Sequence, residues 1–362
     1  MAPDLIASAR DEFGYPKEQS MTSARVRQKQ AWSTAAAGIG IMLGVRAAVR
    51  MYRRINLRGK VVLITGGSRG LGLALARECG KHGAIIALCA RDEDELHRAQ
   101  QDLESRGAIV FTFPCEVTDA PQVRQMIDQV NERFGRIDVL INNAGSIQVG
   151  PMEVMTPKDY EDAMRIHFWA PLHTTLAVLP QMQQRHAGRI VNISSIGGKI
   201  AAPHLLPYSA SKFALVGFSE GLRSELLKDG IYVTTVCPGL MRTGSPRNAM
   251  FKSKHRAEHA WFAISDATPG ISISAQAAAR RIVRALCHGE AELMVSLPAR
   301  LAVSFHGLFP GITADLNSLL NRLLPGPGGI GQGQLPGRLS ESAVAPSVLT
   351  ALNERQAVQN NE

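Results

Sequence analysis

Between Lys60 and Ser296 the apolar residues fall into short, nearly unbroken runs separated by helix-length segments. The runs are Lys60–Thr65, Ala84–Ala90, Ala108–Phe113, Ile137–Ile141, Arg189–Ser194, Ile231–Cys237 and Glu292–Ser296. Runs of this kind, bounded by glycine or charge, suit strands buried on both faces. Helices are expected over Leu71–Lys81, Asp92–Ser105, Ala120–Phe134, Pro157–Arg185, Pro207–Leu227 and Ala275–Cys287. The alternation predicts an α/β fold with a doubly wound parallel sheet of about seven strands and helices on both faces.

The pattern stops at both ends. Residues 1–30 are polar and aperiodic, and Ala31–Val45 is apolar apart from Ser33 and Thr34. Beyond Ser296, Leu301–Leu324 is apolar and loosely helical, and Pro325–Arg338 is rich in Gly and Pro. Four parts follow: an N-terminal extension (1–56), a strand–helix domain (57–298), an apolar helical extension (299–324), and a linker with a mobile tail (325–362). Hydrophobic residues make up 45% of the 362-residue chain and charged residues 20%, a globular balance. The net charge is +9, but residues 1–58 hold ten Lys/Arg against four Asp/Glu, so the body is only mildly basic. No basic helix, aromatic interleaving or zinc spacing argues for nucleic acid. Five dispersed cysteines (Cys79, Cys89, Cys115, Cys237, Cys287) lack metal-ligand spacing and read as thiols of a reducing compartment.

Chemistry concentrates at three places. The first strand runs into Thr65-Gly66-Gly67-Ser68-Arg69-Gly70-Leu71-Gly72 ahead of a helix. Gly66 permits a tight turn, Gly70 lets the backbone approach a pyrophosphate, and Gly72 lets helix and strand pack closely. Free N–H groups at the helix start then face the anion. At the tip of the second strand an acidic residue would bind ribose hydroxyls; here Ala90 and Arg91 stand there, with Arg69 in the loop nearby. Two guanidiniums favour a 2′-phosphate, hence NADP(H) over NAD(H); the competing reading makes both solvated surface arginines. Third, Tyr208 and Lys212 are i,i+4 on one helix face, and Ser195 ends a strand. An ammonium beside the phenol is expected to lower its pKa and fit it for proton transfer.

The span from about Leu57 to Pro298 resembles the single-domain branch of the short-chain dehydrogenase/reductase family, which has a Rossmann-type sheet. The loop matches its TGxxxGxG pattern, and Asn142-Asn143-Ala144-Gly145 its NNAG motif. Ser195, Tyr208 and Lys212 match its active-site triad in order and spacing, and Pro238-Gly239 with Thr243 its PGxxxT segment. The resemblance implies that Ser68, Arg69, Leu71, Val117, Asn143, Ala144 and Gly145 border the cofactor. It also implies that Lys212 binds the nicotinamide ribose, and that Pro238, Gly239 and Thr243 lie beside the nicotinamide. Two positions depart from the pattern. Glu116 replaces the usual adenine-contacting Asp, keeping the charge. His167 replaces the Asn of a proton relay, either passing a proton through water or packing as a neutral ring.

The resemblance places a pocket lid at about Gly244 to Ile273. Its Met250, Phe251, Trp261, Phe262 and Ile264, with Met241 before it, suit a hydrophobic substrate. Its Arg247, Lys252, Lys254, His255 and Arg256 form either an anion contact or a solvated face. The expected activity is hydride transfer between NADP(H) and a carbonyl or alcohol, with Tyr208 as acid/base. The alternative is a catalytically idle NADP(H)-binding scaffold or sensor. Homo-oligomers through the 157–185 and 207–227 helices are implied by resemblance alone. Extended to Val49, the N-terminal apolar run is 19 residues, close to the ~20 of a spanning helix. Arginines 46, 50, 53, 54 and 58, just downstream, outnumber Arg25, Arg27 and Lys29 just upstream, so a membrane-associated enzyme with a cytoplasmic body is expected. An interfacial helix or a helix packed on the body are the alternatives.

Overall fold

A computed structural model describes residues 32, 37–38, 40–42, 44–347 and 350–362. It separates into two units, Met1–Arg53 and Arg54–Glu362, close to the boundary expected at residue 56. Residues 1–30 and much of the apolar run after them lie outside the described residues. In the first unit residues 44–52 are helical, with Val45, Met51 and Tyr52 exposed. Among the described residues no helix is long and apolar enough to cross a membrane.

The second unit is built on seven strands: β1 (Val61–Thr65), β2 (Ile85–Ala90), β3 (Ile109–Pro114), β4 (Val139–Asn142), β5 (Gly188–Ile193), β6 (Ile231–Cys237) and β7 (Glu292–Met294). All pair in parallel, in the order β7-β6-β5-β4-β1-β2-β3. The order reverses beside β1, which opens a crevice at the strands' carboxyl ends. Strand side chains alternate between two cores. Val62 and Ile64 pack with α1 (Gly70–Lys81), α2 (Glu93–Glu104) and α8 (Ala275–His288). Val61 and Leu63 pack with α3 (Ala120–Phe134), α5 (Ala170–Gln184) and α6 (Leu206–Leu226). Side chains cap α2 and α3: Asp92 accepts from the Glu95 N–H at 2.8 Å, and Asp119 from that of Gln122 at 3.2 Å.

Two expectations need correction. The helix expected over Pro157–Arg185 is continuous to Gln184 but irregular. After α4 (Pro157–Met164) comes a π-turn at Arg165–Trp169, and only then α5. An added residue per turn changes which side chains face inward, and it sends His167 into the interior. The segment expected as a linker and mobile tail is structured instead. Leu335–Pro336 pairs with Met250–Phe251, which also pairs with Gln148–Val149. A further helix, Ala351–Gln359, buries Asn353 and Ala357. Its polar residues find partners on a polar surface: Asn353 accepts from Gly244 N–H at 3.1 Å, and Glu354 pairs with Arg247.

The apolar extension behaves in the opposite way. It forms a hairpin of α9 (Leu297–Leu308) and α10 (Pro310–Asn321), split where Pro310 starts a new helix. Across both helices Ala299 alone is buried; Leu301, Leu308, Leu316 and Leu319 are exposed. The lid carries α7 (His255–Ala267), tied down by buried charge. Lys252 Nζ lies 2.6 Å from Asp159 of α4. Glu258 of α7 accepts from Trp261 at 2.7 Å and meets His204 Nδ1 at 2.9 Å.

Candidate active site

Tyr208 and Lys212 project from the first two turns of α6 beside the end of β5; Lys212 is buried, and Tyr208 is half-buried at the cleft wall. Lys212 Nζ donates to the Ile193 carbonyl at 2.9 Å, and Ser194 Oγ donates to the Lys212 carbonyl at 3.0 Å. These bonds fix the helix to the strand end. Ser195 Oγ accepts from the Gly197 N–H at 3.0 Å and stands near enough to the Tyr208 phenol to favour its ionised form. Burial pushes the phenol up to about 12; Ser195 opposes this, and Asp266 and Cys237 add to it. Burial likewise brings the Lys212 ammonium down to about 7. The expectation that Lys212 lowers the phenol is therefore not met: loss of hydration raises it, with the Lys212 ammonium 5.7 Å from the ring centre.

His167 stands edge-on to Tyr208, with ring centres 5.3 Å apart. Its Nε2 faces the Ser146 N–H at 3.3 Å, and its Nδ1 lies 2.8 Å from Ser211 Oγ. Ser211 donates its own proton to the Tyr208 carbonyl at 2.8 Å. The hydroxyl is thus left to accept, which assigns the ring hydrogen to Nδ1 and the acceptor to Nε2. Burial, with the Lys212 charge behind it, holds the imidazole well below its ordinary pKa, so it is neutral. Both nitrogens are engaged inside the protein, which favours the packed-ring alternative over proton passage.

From Tyr208 a cleft of about 1010 Å³ extends over the carboxyl ends of the strands. At its other end is the Gly-rich loop. Gly66 has φ +62, and a Cβ there would stand 2.8 Å from the Ala144 Cα, so the turn admits only glycine. A Cβ on Gly72 would meet the Gly66 carbonyl at 2.0 Å, the close packing expected of that position. Asn143 binds the loop to β4, its side chain donating to the Thr65 and Gly66 carbonyls at 3.1 and 2.9 Å. Arg69 pairs with Glu95 at 2.8 Å, and Ser68 Oγ donates to the same carboxylate at 2.9 Å. Arg91 is exposed, 3.5 Å from Glu116, whose Oε1 accepts from Thr118 N–H and hydroxyl.

The cleft gathers Gly66, Ser68, Arg69, Gly70, Leu71, Arg91, Glu116, Val117, Asn143, Ala144, Gly145, His167, Tyr208, Lys212 and Thr243 on one wall system. Gly72, Pro238 and Gly239 are not among its lining residues; nor is Ser195, which stands half-exposed beside Tyr208. Gly239, for one, faces Ser296 and Ala299 at the start of α9. Met241 and Met250 of the apolar set line the cleft, whereas Phe251 and Phe262 form a small core with Val149. Of the basic set, Lys252 and Arg247 are held by Asp159 and Glu354. Sequence reasoning missed Ser146, Asn248, Arg338 and Glu362, all cleft residues from outside any motif. Among the described residues no group of three acidic, His or Cys side chains could hold a metal ion.

Residues 60–253 match the family described as short chain dehydrogenase. The chain is 36% identical over 281 residues to a dehydrogenase/reductase SDR family protein 7-like of Anopheles gambiae, covering 75% of this chain and 87% of that one. It is 38% identical to a putative ketoacyl reductase of Streptomyces coelicolor, over 51% of this chain and 71% of the relative. Among solved structures, an actinorhodin polyketide ketoreductase variant with NADPH shares 33% identity. Its TM-score is 0.59, over 66% of this chain and 95% of that one. With the parallel sheet and the ordered motifs, these matches make the chain an oxidoreductase that belongs to the short-chain dehydrogenase/reductase family.

Proposed function

We propose that the enzyme reduces a carbonyl on a hydrophobic substrate at the expense of NADPH, with Tyr208 as general acid. The observation that carries this reading is the cluster of Tyr208, Ser195 and the buried Lys212 at one end of a cleft whose other end holds Arg69 and Arg91. The residues fit a dinucleotide: a tight glycine turn at a helix start, a long cleft, and guanidiniums at the adenosine end. Bound there, the nicotinamide would supply the hydride. The protein's part is to hold the carbonyl oxygen with Ser195 Oγ and to give it the Tyr208 proton. Raised by burial, the phenol is protonated at neutral pH, the form that donates to a carbonyl oxygen. Lys212 stabilises the phenolate as the proton leaves. Met241 and Met250 offer adaptable apolar surface for the substrate. The names of the Streptomyces coelicolor and actinorhodin relatives support a ketone or ketoacyl group as the reacting class.

A panel of ketoacyl thioesters, long-chain aldehydes and quinones, followed by NADPH absorbance, tests the reading. Turnover faster with NADPH than with NADH is expected. Binding of NADPH without turnover of any member would leave the idle scaffold in its place.

The exposed leucines of the α9–α10 hairpin and the apolar helix over residues 44–52, with its arginines, support attachment to the surface of a membrane, facing the cytoplasm. Recovery of the full chain in a detergent-free high-speed supernatant would end that idea. Exposed Trp169, Leu176 and Phe213 near α5 and on α6 support self-association through these helices, to be read from the molar mass on gel filtration with light scattering.

A further inference from the structure

Residues 360–362 lie on the Gly-rich loop itself. The Gly70 N–H, first of the helix-start donors, donates to the Asn360 carbonyl at 2.8 Å. Asn360 Oδ1 accepts from Arg77 of α1 and Gln276 of α8, each at 3.3 Å. Asn361 Nδ2 donates to the Ser68 and Glu95 carbonyls at 2.9 and 3.1 Å, and its Oδ1 accepts from Arg98 at 2.9 Å. The Glu362 carboxylate accepts from Asn248 and stands 3.8 Å from Arg69 Nε; its side chain is 6% exposed. Arg247 reaches the Glu362 carbonyl at 3.4 Å. A Cβ on Gly70 would be 2.6 Å from Glu362 Oε1, so the carboxylate sits directly against the loop.

These contacts use the groups that a dinucleotide would need. The loop N–H would face the diphosphate, and Arg69 is the guanidinium assigned to the 2′-phosphate. We infer that residues 360–362 are an internal ligand of the dinucleotide cleft, a carboxylate peptide that NADPH must displace before it binds. The inference rests on the proposed role of this cleft as the cofactor site.

The chemistry of the two occupants differs in a way that allows exchange. A buried carboxylate gives up much of its hydration, and burial pushes Glu362 up to about 7 despite Arg69. A diphosphate keeps its charge at neutral pH and can take several N–H donors at once. The docked segment is therefore held firmly enough to order itself, yet replaceable by a stronger anion. The helix Ala351–Gln359 tethers it through Asn353 and Glu354 without touching the loop, so release need not unfold the body. If the segment is docked nine-tenths of the time, apparent affinity for NADPH falls about tenfold, because only the open fraction binds.

The test is NADPH titration by fluorescence on three proteins: the full chain, a chain ending at residue 359, and full-length Asn361→Ala/Glu362→Ala, which keeps the helix. At least a tenfold tighter Kd is expected for both variants. A synthetic peptide of residues 351–362 added to the shortened chain should raise the apparent Kd in proportion to its concentration. Equal or weaker NADPH binding by both variants, or no competition by the peptide, would overturn the inference while leaving the cofactor site intact. Failure of all three proteins to bind NADPH would overturn both.

Discussion

The two ends of the cleft are built differently. At the Tyr208 end three bonds tie the site to the sheet and to α6: Lys212 to Ile193, Ser194 to Lys212, His167 to Ser211. At the Arg69 end the same loop exchanges partners with side chains distant in sequence, Glu95, Asn248 and Glu362. One end is fixed by main-chain bonds of the core, the other by a polar surface whose partners can be replaced. Chemistry needs a geometry that does not move; binding needs donors that can change acceptor.

Substitutions should divide along the same line. Tyr208→Phe keeps the ring and removes only the proton, so kcat should fall by about 10²–10⁴-fold with NADPH affinity unchanged; stopped-flow single turnovers measure it, and near-normal turnover would remove Tyr208 from the chemistry. Lys212→Ala should lower kcat/KM by about 10–100-fold, the worth of a charged hydrogen bond. Because burial has brought this ammonium down to about 7, its charge is present below that pH and lost above it. KM for NADPH should accordingly rise from pH 6 to pH 8 in the wild type and stay flat in Lys212→Ala. Arg91→Asp belongs to the exchangeable end: NADPH should bind about tenfold more weakly and NADH no worse, with kcat preserved. A wild type that binds both cofactors equally would contradict the role of the two arginines. The smallest change is expected for His167→Asn. With both ring nitrogens internally bonded, it should cost less than about tenfold in kcat and leave the pH–rate profile in place; a lost inflection would show that the imidazole carries protons.

The fixed end was legible in the sequence because its chemistry lies on regular elements. The strands β1 to β7, the glycine turn, and the i,i+4 spacing of Tyr208 and Lys212 follow from local pattern. What escaped depended on surfaces meeting at long range. Leu301–Leu324 reads as an apolar helix, and its leucines are exposed rather than packed into the core. The polar 351–362 segment reads as a tail yet buries Asn353, Asn360 and the Glu362 side chain. Hydropathy alone assigns burial the wrong way round here, since a polar cleft is best covered by polar groups that satisfy it. The Tyr208 pKa escaped for a related reason: spacing shows that Lys212 is near, but not how far both groups are removed from water.

The π-turn at Arg165–Trp169 has a consequence for how this protein tolerates change. Each residue advances an α-helix by about 100°. Removing a single residue there would return the stretch to regular helix and rotate α4 against α5 by about that angle. His167 would leave Ser146 and Ser211, and Asp159 would swing away from Lys252 beneath the lid. A point substitution at Phe168 alters one contact; a one-residue deletion beside it re-aims two parts of the site at once. In this stretch chain length is as strict a constraint as residue identity, and deletion scanning should find it far more sensitive than the exposed hairpin of α9 and α10.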